Sequence, residues 1–161
     1  MCKDNKNLGK TGFLFFLCSV NTPMKRIIAI LSGCILAVFI IFMSEAASHS
    51  INPPPENIDF NNRDQLKQIM EEAPFLALFM VQIGAFLGAL AGGMVASAVM
   101  KSNDKLPALG VGAVLTVLSL INLMMIPHPL WFTLTGLVVY VAGAYCGHLI
   151  YLKFRSHDQK N

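Results

Sequence analysis

The chain has 161 residues, 55% of them hydrophobic and 13% charged, with a net charge of +3 and a mean hydropathy of +0.59. Charged residues make up about a quarter of a soluble domain, so this composition excludes a water-soluble globular protein and points to one compact membrane domain. The positive charge is divided among segments and forms no patch suited to nucleic acid. Cys2, Cys18, Cys34 and Cys146 show neither CxxC nor zinc-type spacing, so no disulfide framework is expected.

Residues 1–23 combine a basic start with an apolar run, Phe13 to Val20, that is too short to span a bilayer. They end in the turn-like Asn21-Thr22-Pro23. Met24-Lys25-Arg26 and the unbroken apolar run behind it read as a start in their own right. Residues 1–23 are then either an extension upstream of that start or a short tail. The run Ile27 to Met43 is read as the first span (27–43). A cleaved secretory signal is the alternative, but the apolar stretch exceeds the roughly 7–15 residues of a signal core. Leu31-Ser32-Gly33-Cys34 looks like a lipobox, yet Ile35 to Met43 continues apolar where a lipoprotein turns polar.

Residues 44–73 form a hydrophilic outer loop. Pro53-Pro54-Pro55 favours polyproline II. Asn62 can cap a short helix with Gln65 as its capping-box partner, and Leu66, Ile69, Met70 and Ala73 then share one apolar face. Such a helix lies on the membrane surface or over the span ends, with a binding lid as the sharper reading.

The second span, 74–100, carries no charge, and Gly84, Gly88, Gly92 and Ala96 recur every four residues along it. Ala85, Ala89, Gly93 and Ser97 lie one step round. Smooth faces of this kind mark helix contacts, because association in lipid depends on close packing. After Lys101 to Lys105 comes a third span (107–126). The fourth (129–151), with Gly143 and Gly147 at GxxxG spacing, follows after only Pro127-His128. Short connections make consecutive spans antiparallel. With four spans, Lys3, Lys6, Lys10, Lys25, Arg26, Lys101, Lys105, Lys153, Arg155 and Lys160 fall on one side and only Arg63 and Lys67 on the other. The positive-inside rule then places both termini in the cytoplasm. The expected fold is an all-α membrane protein: four transmembrane helices in an antiparallel bundle, with a short amphipathic helix in the outer loop.

No charged residue falls in the middle of any of these spans. Gln82, Thr116, Ser119 and Asn122 make a candidate polar path, although interhelical hydrogen bonding explains them as well. Pro127, His128, Pro129 and Trp131 form a rigid outer turn with an interfacial aromatic. A metal site there would have only His49 and Glu45 as company, so no metal or cofactor is expected. Cys34 and Cys146 lie at similar depth and become neighbours if the first and fourth spans pack together.

The run Asn122-Leu123-Met124-Met125-Ile126-Pro127-His128-Pro129-Leu130-Trp131-Phe132, with the Gly92-Gly93 span and the proline-rich loop, resembles a family of small four-span bacterial inner-membrane proteins. The resemblance covers most of residues 24–161 and brings no activity with it. It implies a bacterial cytoplasmic membrane location. The expected function is a structural or interaction component assembling through the glycine faces, with the lipid bilayer, a second copy or another membrane protein as partner, and no enzymatic role. The alternative is a small transporter or channel component for a neutral or apolar solute. Small multidrug exporters share the size and four-span plan but depend on an acidic residue in the first span, and Ile27 to Met43 has none.

Overall fold

The structure is a computed structural model that describes residues 22–51, 53, 59 and 62–158. The expectations for residues 1–21 and for polyproline geometry at Pro54 and Pro55 fall outside the described residues. Within them are five helices and no strand: α1 (Thr22–Ile51), α2 (Arg63–Glu72), α3 (Phe75–Met100), α4 (Leu106–Met125) and α5 (Leu130–Asp158). All but α2 are long and apolar enough to cross a membrane. Pro74 and Pro129 immediately precede α3 and α5 and Pro107 lies in the first turn of α4, where a missing N–H costs little.

The first helix is longer than its apolar run. Thr22 and Pro23, read as a turn, belong to its first turn, and the helix continues past Met43 to Ile51. Two physical causes carry it through the polar stretch. Ala46 and Ala47 are strong helix formers, and the Ser44 and Ser50 hydroxyls satisfy themselves on the carbonyls of Ile41 (3.1 Å) and Ala46 (2.9 Å). Glu45 is therefore a helical residue and not part of a loop.

Side-chain contacts define the two ends of the bundle. Arg26 pairs with Asp104 at 2.9 Å and Arg155 donates to the Asn103 side chain at 3.3 Å, so the start of α1, the α3–α4 turn and the end of α5 share one end, the terminal end. At the opposite, loop end, Ser48 donates to the Ala77 carbonyl (3.4 Å), Arg63 donates to the Met124 carbonyl (3.2 Å), and the rings of Phe75 and Trp131 lie 5.0 Å apart.

Helix α3 is the centre. It packs against α1, α4 and α5, whereas α1 and α5 share no substantial interface. Consecutive spans run antiparallel, but the close α3–α5 pair is parallel. Cys34 and Cys146 therefore stand on helices that flank α3 and α4 from opposite sides and are not packed as neighbours. The core is built of small residues, with Ala29, Ala37, Ala89 and Ala96 fully buried beside Val111 and Leu115. Helix α4 joins this core only in its terminal half: Pro107, Ala108, Val111, Gly112 and Leu115 are buried, and from Thr116 onward no α4 residue is.

Helix α2 bridges the loop end from Arg63, tethered to α4, to the start of α3. Asn62 caps it, accepting from the backbone N–H of Asp64 and Gln65 at 3.2 Å each. The reciprocal half of the capping box differs, because the Gln65 side chain accepts from the Asp59 N–H (3.1 Å) and not from Asn62. Leu66 is buried and Ile69, Met70 and Ala73 are half-buried, giving the expected apolar face.

Candidate functional site

The glycines come first because they set which surfaces remain free. A Cβ added to Gly33 would lie 2.5 Å from the Gly92 carbonyl oxygen, and one on Gly92 would lie 2.6 Å from that of Gly33. Ala96 stands beside the same contact, 3.2 Å from the Gly33 position. Gly84 holds Ser44, and Gly88 holds Ala37 and Ile41, so the ladder at 84, 88, 92 and 96 is the seat of α1. The adjacent face is the seat of α5: Gly93 lies against the Ala144 backbone, Gly143 against Phe86 and Ala89, and Gly147 against Leu90 and Met94. Every glycine singled out in the sequence thus meets a neighbour within the chain.

Two polar pairs pin the α3–α5 seam. At the terminal end Ser97 and His148 are both buried, 3.0 Å apart. The Ser97 hydroxyl donates to the Gly93 carbonyl (2.9 Å), which leaves its oxygen to accept from His148 Nδ1 and places that ring hydrogen on Nδ1. Sequence alone does not join these two residues, since Ser97 belongs to a small face and His148 stands 51 positions away. Toward the loop end the Gln82 amide donates to Thr135 Oγ1 (2.6 Å) and to the Phe132 carbonyl (3.2 Å). A double-mutant cycle of Gln82→Leu and Thr135→Val, read by thermal melting, is expected to give a coupling of about 0.6 kcal/mol, and one above about 1.7 kcal/mol would exceed what such bonds contribute in membranes.

The candidate polar path does not assemble as one line. Gln82 is occupied on the α5 side of α3, Thr116 returns its hydroxyl to the Gly112 carbonyl (2.8 Å), Ser119 is half-buried, and Asn122 is exposed. Ser119 instead faces the hydroxyl of Tyr140 on α5, which is half-buried against the core and lies in the electrostatic reach of Glu45. Sequence reading assigned Glu45 to a loop and gave Tyr140 no role.

Helix register sets Glu45 and Tyr140 at similar heights. Ser44 sits on Gly84, nine residues from Phe75 and sixteen from Met100, or about 14 Å and 24 Å along the axis. Glu45 is therefore on the loop side of the midplane of a hydrocarbon layer about 30 Å thick, inside its margin. Gln82 beside Thr135 and Gly136 places the same level of α5 one turn above Tyr140. Cα–Cβ bonds tilt toward a helix N-terminus. Glu45 thus leans toward the terminal end and Tyr140 toward the loop end. Ser119 enters from the unpacked half of α4. These three half-buried residues stand on three helices beside the half of the bundle where α4 is unburied.

At the α4–α5 turn, His128 Nδ1–H donates to the Ile126 carbonyl at 2.7 Å, and the ring stacks on Phe132 at 4.9 Å. Pro127 and Pro129 flank it, and Trp131 packs on Phe75 and Phe132. Burial holds the His128 pKa below its ordinary 6.5, against the Ile126 hydrogen bond, which raises it. The unfolded chain then binds the proton more readily. Stability is expected to be complete above the ordinary value and to fall as pH drops through it toward the lower folded value. Melting curves of His128→Phe against the parent should show a weaker acid-side decline, and an identical decline would refute the assignment.

Among the described residues no group of three His, Cys, Asp or Glu side chains is placed to hold a metal ion. No family model matches the chain, and neither curated proteins nor solved structures give a match. What the four long apolar helices establish is the class. It is a multi-pass membrane protein.

Proposed function

We propose that the protein is a small carrier or channel component that admits a solute between α1, α4 and α5 at the loop end, and that it is not an enzyme. The observation that carries this reading is the half of the bundle that α4 leaves open: from Thr116 onward no α4 residue is buried, and half-buried Glu45, Ser119 and Tyr140 stand on the three helices that border it. Ionisable groups at membrane depth mark solute or ion paths by default. The competing reading is a structural component assembling through its glycine faces. It would need Gly84, Gly88, Gly92, Gly93, Ala96, Gly143 and Gly147 to be free for a second copy, and each already packs within the chain.

The terminal end carries Lys25, Arg26, Lys101, Lys105, Lys153 and Arg155, against Arg63 and Lys67 at the loop end. The positive-inside rule supports a cytoplasmic terminal end and an outward loop end. A bacterial cytoplasmic membrane is supported by the resemblance carried by Asn122 to Phe132. In sealed vesicles, a membrane-impermeant maleimide should label Ser119→Cys and leave Ala108→Cys unlabelled, with Cys2, Cys18, Cys34 and Cys146 replaced by serine. If Ser119→Cys stays unlabelled from both sides, there is no water-connected path and the carrier reading fails.

A further inference from the structure

Lys25, Arg26, Lys101, Lys105, Lys153 and Arg155 lie at the terminal end, and between Thr22 and His157 the only acid there is Asp104. The turn between α3 and α4, Lys101 to Lys105, draws these cations together. Asp104 holds Arg26 of α1 at 2.9 Å, and its neighbour Asn103 accepts from Arg155 of α5 at 3.3 Å. Two helices that share no substantial interface are thus brought to one turn. Lys101 and Lys105 stand at its two ends, each two residues from Asn103, and both are exposed. Among the described residues, Arg26 is the only one of these cations in an ion pair. Asn103 is neutral, so it orients the Arg155 guanidinium without cancelling its charge. The fork keeps further donors suited to a phosphate.

The backbone of Lys101 sets it apart. Among the described residues it is the only one other than glycine with a positive φ, 53°, and it closes α3 by donating its N–H to the Ser97 carbonyl at 3.0 Å. A left-handed closing position usually holds glycine or asparagine, because a longer side chain is disfavoured there. Lysine stands here against that preference, which points to a use for its ammonium group. Apolar surface adjoins the cations. Ile27, Leu106 and Phe154 are exposed, and each lies one residue deeper in the bilayer than a basic neighbour, Arg26, Lys105 or Arg155. The apolar run of α3 ends at Met100, so the turn stands where hydrocarbon gives way to headgroups. Cations at that level, with apolar surface just beneath, match a lipid that carries its negative charge on a phosphate.

We propose that the α3–α4 turn, with Lys101, Lys105 and Arg155, is a binding site for the headgroup of an anionic phospholipid. The phosphate lies against these three side chains, and the acyl chains lie on the exposed apolar surface beneath them. Arg26 stays on Asp104 and keeps α1 at the turn. The bound lipid links the ends of α3, α4 and α5. The site is at the opposite end from the proposed solute entry and does not depend on the carrier reading.

The test uses the full chain in detergent micelles, titrated with phosphatidylglycerol or with phosphatidylcholine of the same acyl chains, and counts bound lipid by native mass spectrometry. Phosphatidylglycerol should bind saturably and more tightly of the two, and its binding should weaken as salt rises. Each cation removed should weaken it by about fivefold, so Lys101→Asn combined with Lys105→Gln should lose about 25-fold. Lys101→Asn removes a charge where asparagine suits the backbone, so without lipid its melting temperature should equal or exceed that of the parent. That variant separates lost binding from lost folding. Lys67→Gln, which removes the same charge at the loop end, should bind as the parent does. Equal affinity for the two lipids, unaltered binding by the Lys101→Asn, Lys105→Gln chain, or a loss with Lys67→Gln as large as with Lys101→Asn overturns the proposal. Inorganic phosphate that displaces phosphatidylglycerol at equal concentration would show that the site takes a free anion, and would overturn it as well.

Discussion

Alanine at Gly93 or at Gly147 is expected to disrupt the fold, while alanine at Gly136 leaves it intact or slightly stabilised. The added atom is the same in all cases, and only what it meets differs. A Cβ on Gly93 falls on the Ala144 backbone, with Cα at 2.7 Å and the carbonyl carbon at 2.8 Å, and one on Gly147 falls on Leu90 and on Met94 N at 2.8 Å. These are backbone atoms of a helix and cannot swing aside, so α3 and α5 must separate along their whole seam. Overpacking a core costs about 1–3 kcal/mol when side chains can yield, and these sites should reach or exceed the top of that range. The Ser97–His148 and Gln82–Thr135 bonds bridge the same seam and would be strained with it. A Cβ on Gly136 meets only the Gln82 amide at 3.7 and 4.0 Å, which is ordinary contact. Thermal melting in one detergent decides the matter. Equal melting temperatures for Gly93→Ala and Gly136→Ala would mean that α3 and α5 are not packed as described.

The second large effect concerns α1. Gly33 and Gly92 approach each other reciprocally, each facing the other's carbonyl oxygen, so either alanine substitution pushes the same two helices apart. Gly33→Ala and Gly92→Ala are each expected to destabilise by about 2 kcal/mol, within the usual span for overpacking. The double variant should lose clearly less than the sum, because the first substitution already opens the gap the second requires. Fully additive losses in a double-mutant cycle would show that the two glycines do not share one contact. Gly88→Leu acts on the same interface. Of the atoms its Cβ meets, Ile41 Cγ1 at 2.8 Å belongs to a flexible side chain, while the Ala37 carbonyl at 2.8 Å does not.

Much of this architecture was legible before any coordinates. Unbroken apolar runs punctuated by prolines gave the four long helices, since hydropathy and the first-turn tolerance for proline are local properties. The small residues from Gly84 to Ser97 announced a contact surface, and Leu66 with Ile69 and Met70 announced the face of α2. Which helix met which small face was not legible, because glycine at a contact says only that something comes close. The end of α1 was misplaced for a related reason. Polarity after Met43 marks where a helix leaves lipid and not where its hydrogen bonding stops. That displaced Glu45 into a loop, whereas it stands on α1. Ser97 and His148, 51 positions apart, become a pair only once α3 and α5 are aligned.

The central position of α3 also bears on how the protein is made. Its two smooth faces are completed by the first and the last of the long helices, so the face for α5 stays bare until translation reaches Gly143 and Gly147. Until then Gly93 and Ser97 have lipid where Ala144 and His148 will stand, although the core cluster of Ala29, Ala37, Ala89, Ala96, Val111 and Leu115 already lies within α1, α3 and α4. The α3–α5 seam is the last to close, and a nascent chain halted at the Pro127-His128-Pro129 turn would hold α1 on its seat while the second smooth face of α3 still faced lipid.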